Sequence, residues 1–542
     1  MNFNRERATE ILLVVGFCAF LFFYHLGAFG LVGADEPRYA QVAREMLSRH
    51  DWVTPILNGV PWLEKPILYY WGAMLSYSVF GVVDWAARVP TAALATLMIA
   101  AVYLFASRFR PGMRLDAALM TASGAMVFAM ARAASTDMPL TACFTISLLA
   151  WFAWYASGNR AYLLAFYAVN AAAMLAKGPV APVLAAVIIC VFSFAVRRPK
   201  LILQSLWIPG IVAFIAVAAP WYVLVQLRTP QFARVFFLQQ NLARFGTNLY
   251  HHKQPFWYYL PVALLATVPW VALVIASVVG VIVEWKAQSW RARDGEDALP
   301  TFLLIWAAVP LLFFSASTSK LPAYILPAIP PLLLLAADWM HRRVDEDSRL
   351  PLWLAAAHAV IVAILAGVTV MSSTWFLKRP ANSQLLITAS MAGAIVFLGA
   401  AIMLAVRGWQ FMRFVTLAPL ILCLGFILRT QSPIVDHTQS SRPLAEMIGA
   451  LGYPADQDVA LFGTKRELEY GLMFYRDRHV RVYAPLEPNQ PETVGIPEKM
   501  HLVIIREGMR DKLAAALPGR NIAFAGYYRP QHLELYAVGA QH

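Results

Sequence analysis

The side chains able to do chemistry in this chain stand at the ends of its apolar runs. Asp35, Glu36 and Arg38 fall in GADEPRYAQVAREML, directly after the first run, and Glu64 and Lys65 follow in WLEKPILYYW. Asp137 opens a later run in STDMPL, Lys177 closes one in LAKGP, and Lys320 with Tyr324 lies in TSKLPAYILP. Arg244, His251 and His252 share the segment ARFGTNLYHHKQPFWYY. Carboxylates of this kind can serve as general base or hold an amine or a metal, and the cations can clamp a phosphate. Two adjacent histidines with Glu64 would make the three-ligand, open-position set that zinc uses, although two such histidines can equally be merely solvated. No GxxxxGK[ST] loop and no Ser/His/Asp arrangement stands out.

The elements that must position these groups are apolar. Of 542 residues, 60% are hydrophobic and only 14% charged, against roughly 25% charged in an ordinary soluble domain. Mean hydropathy is +0.58. Several runs approach the ~20 apolar residues needed to cross a bilayer core, so the class is a polytopic α-helical membrane protein. Thirteen candidate spans run from 9–29 to 412–430, and the first is too long and too poorly flanked for a cleavable signal peptide. The net charge of +13 reflects bases in short loops, not nucleic-acid binding. The four cysteines all fall within apolar runs and read as packing residues.

Bases set the orientation, because Lys and Arg near span ends stay in the cytoplasm. If every span crosses once, Arg5/Arg7, Arg108/Arg110/Arg114, Arg160, Arg197/Arg198/Lys200, Lys286/Arg291/Arg293, Arg342/Arg343/Arg349 and Arg407/Arg413 all share the N-terminal side. The N-terminus is then cytoplasmic and the C-terminus outside. The acids and bases of the opening paragraph instead share the outer face, and together they favour a polar cavity there over a scatter of surface pairs.

The first outer loop is too long for a turn. Tyr39, Val42, Ala43, Met46 and Leu47 recur at helical spacing, predicting a helix that lies along the interface. The WLEKPILYYWGAMLSYSVFG segment predicts a second interfacial or shallow helix, with Trp62, Tyr69, Tyr70 and Trp71 as ordinary belt aromatics. Residues 1–430 form the membrane unit and 431–542 a soluble α/β domain, a lid or docking module with no catalytic constellation of its own. Its strands are expected at DVALFG, VRVYA, HLVIIRE and LELYAVG, and its helices at SRPLAEMIGAL, capped by Ser441, and MRDKLAAALP.

An outer-face cavity has no nucleotide-sugar pool to draw on, so an activated donor would be a lipid phosphate. In order along the chain, the Asp-Glu pair, WLEKPILYYW, TDMP, AKGP, the RF…HH…PFWYY loop and SKLPAYILP resemble the GT-C glycosyltransferases, and within them the lipid A aminoarabinose transferases. They are related to the protein mannosyltransferases. The resemblance covers about the first 340 residues. It implies an inverting pentosyltransferase on the periplasmic side of a bacterial inner membrane, moving 4-amino-4-deoxy-L-arabinose from undecaprenyl phosphate to a lipid A phosphate. The added positive charge would give polymyxin resistance.

The resemblance places the family's loop acids on Asp35 and Asp137, with Glu36 beside the first. Lys65, Arg38 and Arg244 are the expected donor-phosphate cations, Lys320 and Tyr324 second choices, and Lys177 a weaker one because a span-end lysine often snorkels. A polyprenyl-phosphate transferase acting on protein or another glycan would need the same cations. A lipid flippase would be expected to carry its ionisable groups near mid-membrane within paired repeats, and no internal duplication is seen.

Overall fold

The computed structural model describes residues 2–243, 254–287, 295–346, 350–377, 379–484 and 500–541. Helices dominate: α1 (Asn2–Cys18, continued by a π-helical turn Ala19–Phe23), α2 (Asp35–Ser48), α3 (Leu68–Phe80), α4 (Asp84–Phe109), α5 (Arg114–Ser123), α6 (Ala125–Ala131), α7 (Asp137–Ser157), α8 (Arg160–Lys177) and α9 (Val180–Ala195) open the chain. Later helices include Ile208–Arg228, Leu299–Ala316, Ile329–Glu346, Leu352–Leu377, Ser383–Arg407 and Met412–Thr430. Among the described residues eight helices are long and apolar enough to cross a membrane, or nine if the bent pair Phe256–Ala266 and Val271–Ala287 is one span. The remaining expected spans coincide with shorter or broken helices. These are α1, the α5–α6 pair interrupted at Gly124, α8 and α9.

Ion pairs gather the basic loops at one end of the bundle. Glu10 accepts from Arg114 at 2.6 Å, Asp116 from Arg413 at 2.7 Å, and the buried Asp338 from Arg110 at 3.2 Å and Arg342 at 3.0 Å. A second set joins segments of the other face, as in Arg228 with Asp51 at 2.7 Å and Arg44 with Asp477 at 2.8 Å. The four cysteines carry free thiols, two of them buried.

The first long loop folds into α2, a short hairpin and α3. The hairpin pairs β1 (Ile56–Leu57) with β2 (Val60–Pro61). Asn58 and Gly59 turn it with positive φ, the pattern of a type I′ turn. The Glu45 carboxylate of α2 accepts from both turn N–H groups, at 2.9 and 3.0 Å, which holds Trp62–Lys65 beside α2.

The face of α2 expected to touch lipid is instead buried by protein. Tyr39, Ala40, Val42, Ala43 and Met46 share one apolar core with Tyr69, Tyr70, Ala73 and Met74 of α3 and with Leu472, Met473 and Phe474 of the C-terminal domain. An amphipathic stripe needs an apolar partner, and here the C-terminal sheet domain supplies it. Tyr69 and Tyr70 accordingly are not belt residues: both are fully buried and pack against Tyr39 with ring centroids 6.1 and 6.3 Å away.

The C-terminal domain is a five-stranded sheet in the order β4-β3-β5-β7-β6, made of β3 (Val459–Phe462), β4 (Arg481–Ala484), β5 (His501–Arg506), β6 (Arg520–Tyr528) and β7 (Leu533–Gln541). β4, β3 and β5 are parallel, while β7 joins β5 and β6 antiparallel. Helices Arg442–Ala450 and Arg510–Ala516 stand where expected, but Arg466–Arg476 and β6 were not foreseen. Ser441 is the N-cap of its helix yet makes no side-chain cap bond; the Ser440 hydroxyl accepts from Arg442 N instead, at 3.1 Å.

Ser441 lies against Gly471, where an added Cβ would come 2.7 Å from Ser441 Cβ and closer still to Oγ. Gly471→Ala is therefore expected to destabilise the domain by about 1–3 kcal/mol, read as a lower unfolding temperature, with Ser441→Gly restoring it. An unchanged temperature for the single variant would refute this packing.

Candidate active site

Both acids implied as catalytic begin a helix. Asp35 is the first residue of α2 and Asp137 the first of α7. Helix N-termini carry partial positive charge and favour carboxylates there. Each acid also has a cation. Arg38, one turn on, donates from Nη2 to Asp35 Oδ1. Lys177, the last residue of α8, donates from Nζ to Asp137 Oδ1 and lies 4.8 Å from the centre of the Tyr324 ring. The Lys177 ammonium is thus turned to an acid and an aromatic face, which makes it a stronger candidate than a snorkelling lysine.

Tyr39 lies within electrostatic reach of both acids. Its buried hydroxyl is held well above the usual phenol range by burial and by the negative charge of Asp35, with Asp137 adding to it. Arg38 is only 9% exposed, whereas the Asp35 side chain is 60% exposed. Burial works against the Arg38 charge, but Tyr39, Asp35 and Glu64 around it outweigh burial and raise its pKa. The guanidinium lies over the rings of Tyr39, Trp62 and Tyr470 at 5.1, 5.2 and 5.6 Å. An arginine stacked and desolvated in this way is a fixed cation.

Glu36 has a different position from its neighbour. It is 6% exposed, and both carboxylate oxygens are taken by donors. Arg88, 1% exposed, reaches it at 3.1 Å through Nε and 2.7 Å through Nη2. The backbone N–H of Val32 donates at 2.9 Å and that of Ala134 at 2.7 Å. Glu36 therefore ties the residues before Asp35 to those before Asp137, a positioning role and not one at the reacting atoms.

Lys65 follows Glu64 on the strand-to-α3 connection and is half-buried. Lys320 is buried, and its ammonium donates to the carbonyls of Ser317 at 2.6 Å and Gln254 at 3.1 Å, while burial lowers its pKa. With those partners it braces its own loop, and only Tyr324 of that segment meets the acid pairs. Arg244, His251 and His252 lie outside the described residues. Among the described residues no group of three or more His, Cys, Asp or Glu could hold a metal ion.

The sequence reading assigned nothing to the C-terminal domain, yet Tyr470 completes the Arg38 cage and Arg466 lies 5.9 Å from the same ring. The helical period of RELEYGLMFYR was the available signal. Around these groups several buried polar atoms have no partner among the described residues: Arg38 Nε, Trp62 Nε1, Tyr70 Oη, Ser135 Oγ and Thr136 Oγ1. Native interiors pair nearly all such groups, so this cluster marks where water or a polar ligand supplies the partners.

Residues 64–223 match the family described as dolichyl-phosphate-mannose-protein mannosyltransferase. The chain is 30% identical over 502 residues to undecaprenyl phosphate-alpha-4-amino-4-deoxy-L-arabinose arabinosyl transferase 1 of Pseudomonas fluorescens, covering 86% of this chain and 87% of that one. The chain belongs to this arabinosyl transferase family. A transferase of the same description from Yersinia enterocolitica is 31% identical over 491 residues, covering 81% and 83% of the two chains. The fold matches the crystal structure of ArnT from Cupriavidus metallidurans bound to undecaprenyl phosphate, with TM-score 0.76 over 97% of both chains at 23% identity. The arabinosyl transferase fold is thus the GT-C architecture implied by the motifs, and it sets Asp35, Asp137 and Lys177 at helix ends.

Proposed function

We propose that this enzyme transfers 4-amino-4-deoxy-L-arabinose from undecaprenyl phosphate to a phosphate of lipid A. Within this family, the observation carrying the proposal is that two helix-initiating acids, each paired with a cation, act on one buried tyrosine, Tyr39. The acceptor phosphate oxygen attacks the anomeric carbon from the side opposite the leaving group. As that carbon–oxygen bond forms, the bond to undecaprenyl phosphate breaks and its electron pair leaves with the prenyl phosphate. The acceptor phosphate is already ionised near neutral pH, so no base needs to remove a proton. Asp35 and Asp137 then orient the acceptor or hold the sugar ammonium, while Arg38, Lys65 and Lys177 steady negative charge on the departing phosphate.

The orientation belongs to the same proposal: thirteen crossings in a bacterial inner membrane, N-terminus cytoplasmic, cavity and C-terminal domain periplasmic. It is supported by the gathering of the basic loops, through Arg110, Arg114, Arg342 and Arg413, apart from the acid pairs. Zinc on Glu64, His251 and His252 is also proposed. Glu64 is the ligand within the described residues, and it lies in electrostatic reach of Arg38 and Tyr70.

Mass spectrometry of lipid A from cells with and without the protein tests the proposal. The aminoarabinose mass increment is expected only when the wild-type chain is present. An unchanged lipid A, with the sugar appearing on protein or another glycan, would overturn the acceptor assignment.

A further inference from the structure

The C-terminal domain holds a turn that the transfer scheme above does not use. β3 ends at Phe462, and the chain passes through Gly463 (φ +61°), Thr464 and Lys465 into the 11-residue helix Arg466–Arg476. Lys465 is the N-cap residue and makes no side-chain cap bond, so no capping side chain takes up the first N–H groups of the helix. Thr464 is 2% exposed, and its Oγ1 has no partner among the described residues. The Nε of Arg466, the first helical residue, is likewise buried without a partner among them. A buried polar group left unpaired is destabilising, and a ligand oxygen at this turn would relieve that.

The sheet topology points to the same spot. The connection from β3 runs to β4 on one side, while the chain leaving β5 runs through Arg510–Ala516 to β6 at the far edge. The strand order therefore reverses between β3 and β5. In open sheets with parallel strands, ligands bind in the crevice at the carboxyl ends of the strands at such a reversal. Gly463 occupies this crevice, where a Cβ would run into Met509 of the turn after β5.

The turn also points towards the catalytic acids. α2 and Arg466–Arg476 lie side by side in matching order, with Arg38 against Tyr470 and Arg44 bound to Phe474 O and Asp477. One turn back from Tyr470, Arg466 stands at the Asp35 end of that pairing. Arg38 and Arg466 stack on the same Tyr470 ring, but Arg38 is neutralised by Asp35, whereas Arg466 has no ion pair among the described residues.

We infer that Gly463–Arg466 is an anion site that takes a phosphate ester of the acceptor, with Thr464 Oγ1, Lys465, Arg466 and the helix N–H groups as donors. The inference rests on the acceptor assignment proposed above. Both substrates carry phosphate esters. The acceptor is favoured because the turn belongs to the soluble domain, while the donor's prenyl tail must stay in lipid. The C-terminal domain is then a substrate-reading element and not only a lid.

Full-length Arg466→Gln, Thr464→Val and Arg466→Lys variants in detergent micelles test this. Arg466→Gln is expected to raise KM for bisphosphorylated lipid A about tenfold, leaving kcat and undecaprenyl phosphate binding near wild type. Arg466→Lys should recover part of the loss and Thr464→Val should show a smaller one. An unchanged acceptor KM would overturn the inference. An equal loss of undecaprenyl phosphate binding would overturn it too, assigning the turn to the donor. Should the wild-type protein transfer no sugar to lipid A, the acceptor proposal fails by itself. Direct binding of lipid A and of its dephosphorylated form then decides the anion site, which requires wild type, but not Arg466→Gln, to prefer the phosphorylated lipid.

Discussion

Asp35→Asn is expected to slow sugar transfer by about 10²–10³-fold while leaving protein yield and undecaprenyl phosphate binding near wild type. The substitution keeps the shape of the side chain and removes the charge. Stability should change little, because the Asp35 side chain is 60% exposed and exposed ion pairs are worth about 0–1 kcal/mol. Arg38 keeps Glu64 and three aromatic faces around it, so the cage does not depend on Asp35 alone. What is lost is a carboxylate fixed at the first turn of α2, within electrostatic reach of Tyr39, as Asp137 also is. Initial rates with purified protein and a lipid-linked donor measure the effect. A rate within about threefold of wild type would remove Asp35 from the reaction.

The positions of the acids were legible where residue type and place coincided. Asp35 and Asp137 stand beside apolar runs and each begins a helix, while the roles given to them came from the family resemblance. Lys177 was undervalued because a lysine at a span end is ordinarily a headgroup anchor. Only the pairing of α7 with α8 brings its ammonium to Asp137. Glu36 was grouped with Asp35 because adjacent acids look alike in a sequence, and helical geometry sends them to opposite environments. One is largely exposed and the other buried on Arg88. The lipid-facing reading of α2 failed for a related reason: period marks an apolar face without naming what covers it, and here the cover is a domain more than 400 residues further along the chain. Tyr470 and Arg466 were missed for the same reason, since their relation to Arg38 exists only after that domain docks.

Removing the Glu36 charge should show how far the fold and the site depend on one buried carboxylate. Glu36→Gln leaves Arg88 buried without its counter-charge and sets an amide N–H₂ against the N–H of either Val32 or Ala134. Breaking a buried ion pair by removing one partner costs about 3–5 kcal/mol. Arg88 retains the carbonyls of Leu26, Phe29 and Gly30, at 2.9, 2.8 and 2.8 Å, which should hold the loss towards the lower end. A lower unfolding temperature and a lower kcat are both expected, with KM for the donor little changed, because Glu36 is buried and both its oxygens are taken by protein donors. Adding Arg88→Met removes the stranded charge, so the double variant should regain part of the thermal stability. It should not regain kcat, because the tie between the segments carrying Asp35 and Asp137 is still broken. If stability and kcat recovered together, Glu36 would be a plain structural residue. If Glu36→Gln lowered kcat alone at wild-type stability, Glu36 would act at the reacting atoms after all. The positioning role requires the two readouts to separate in the double variant.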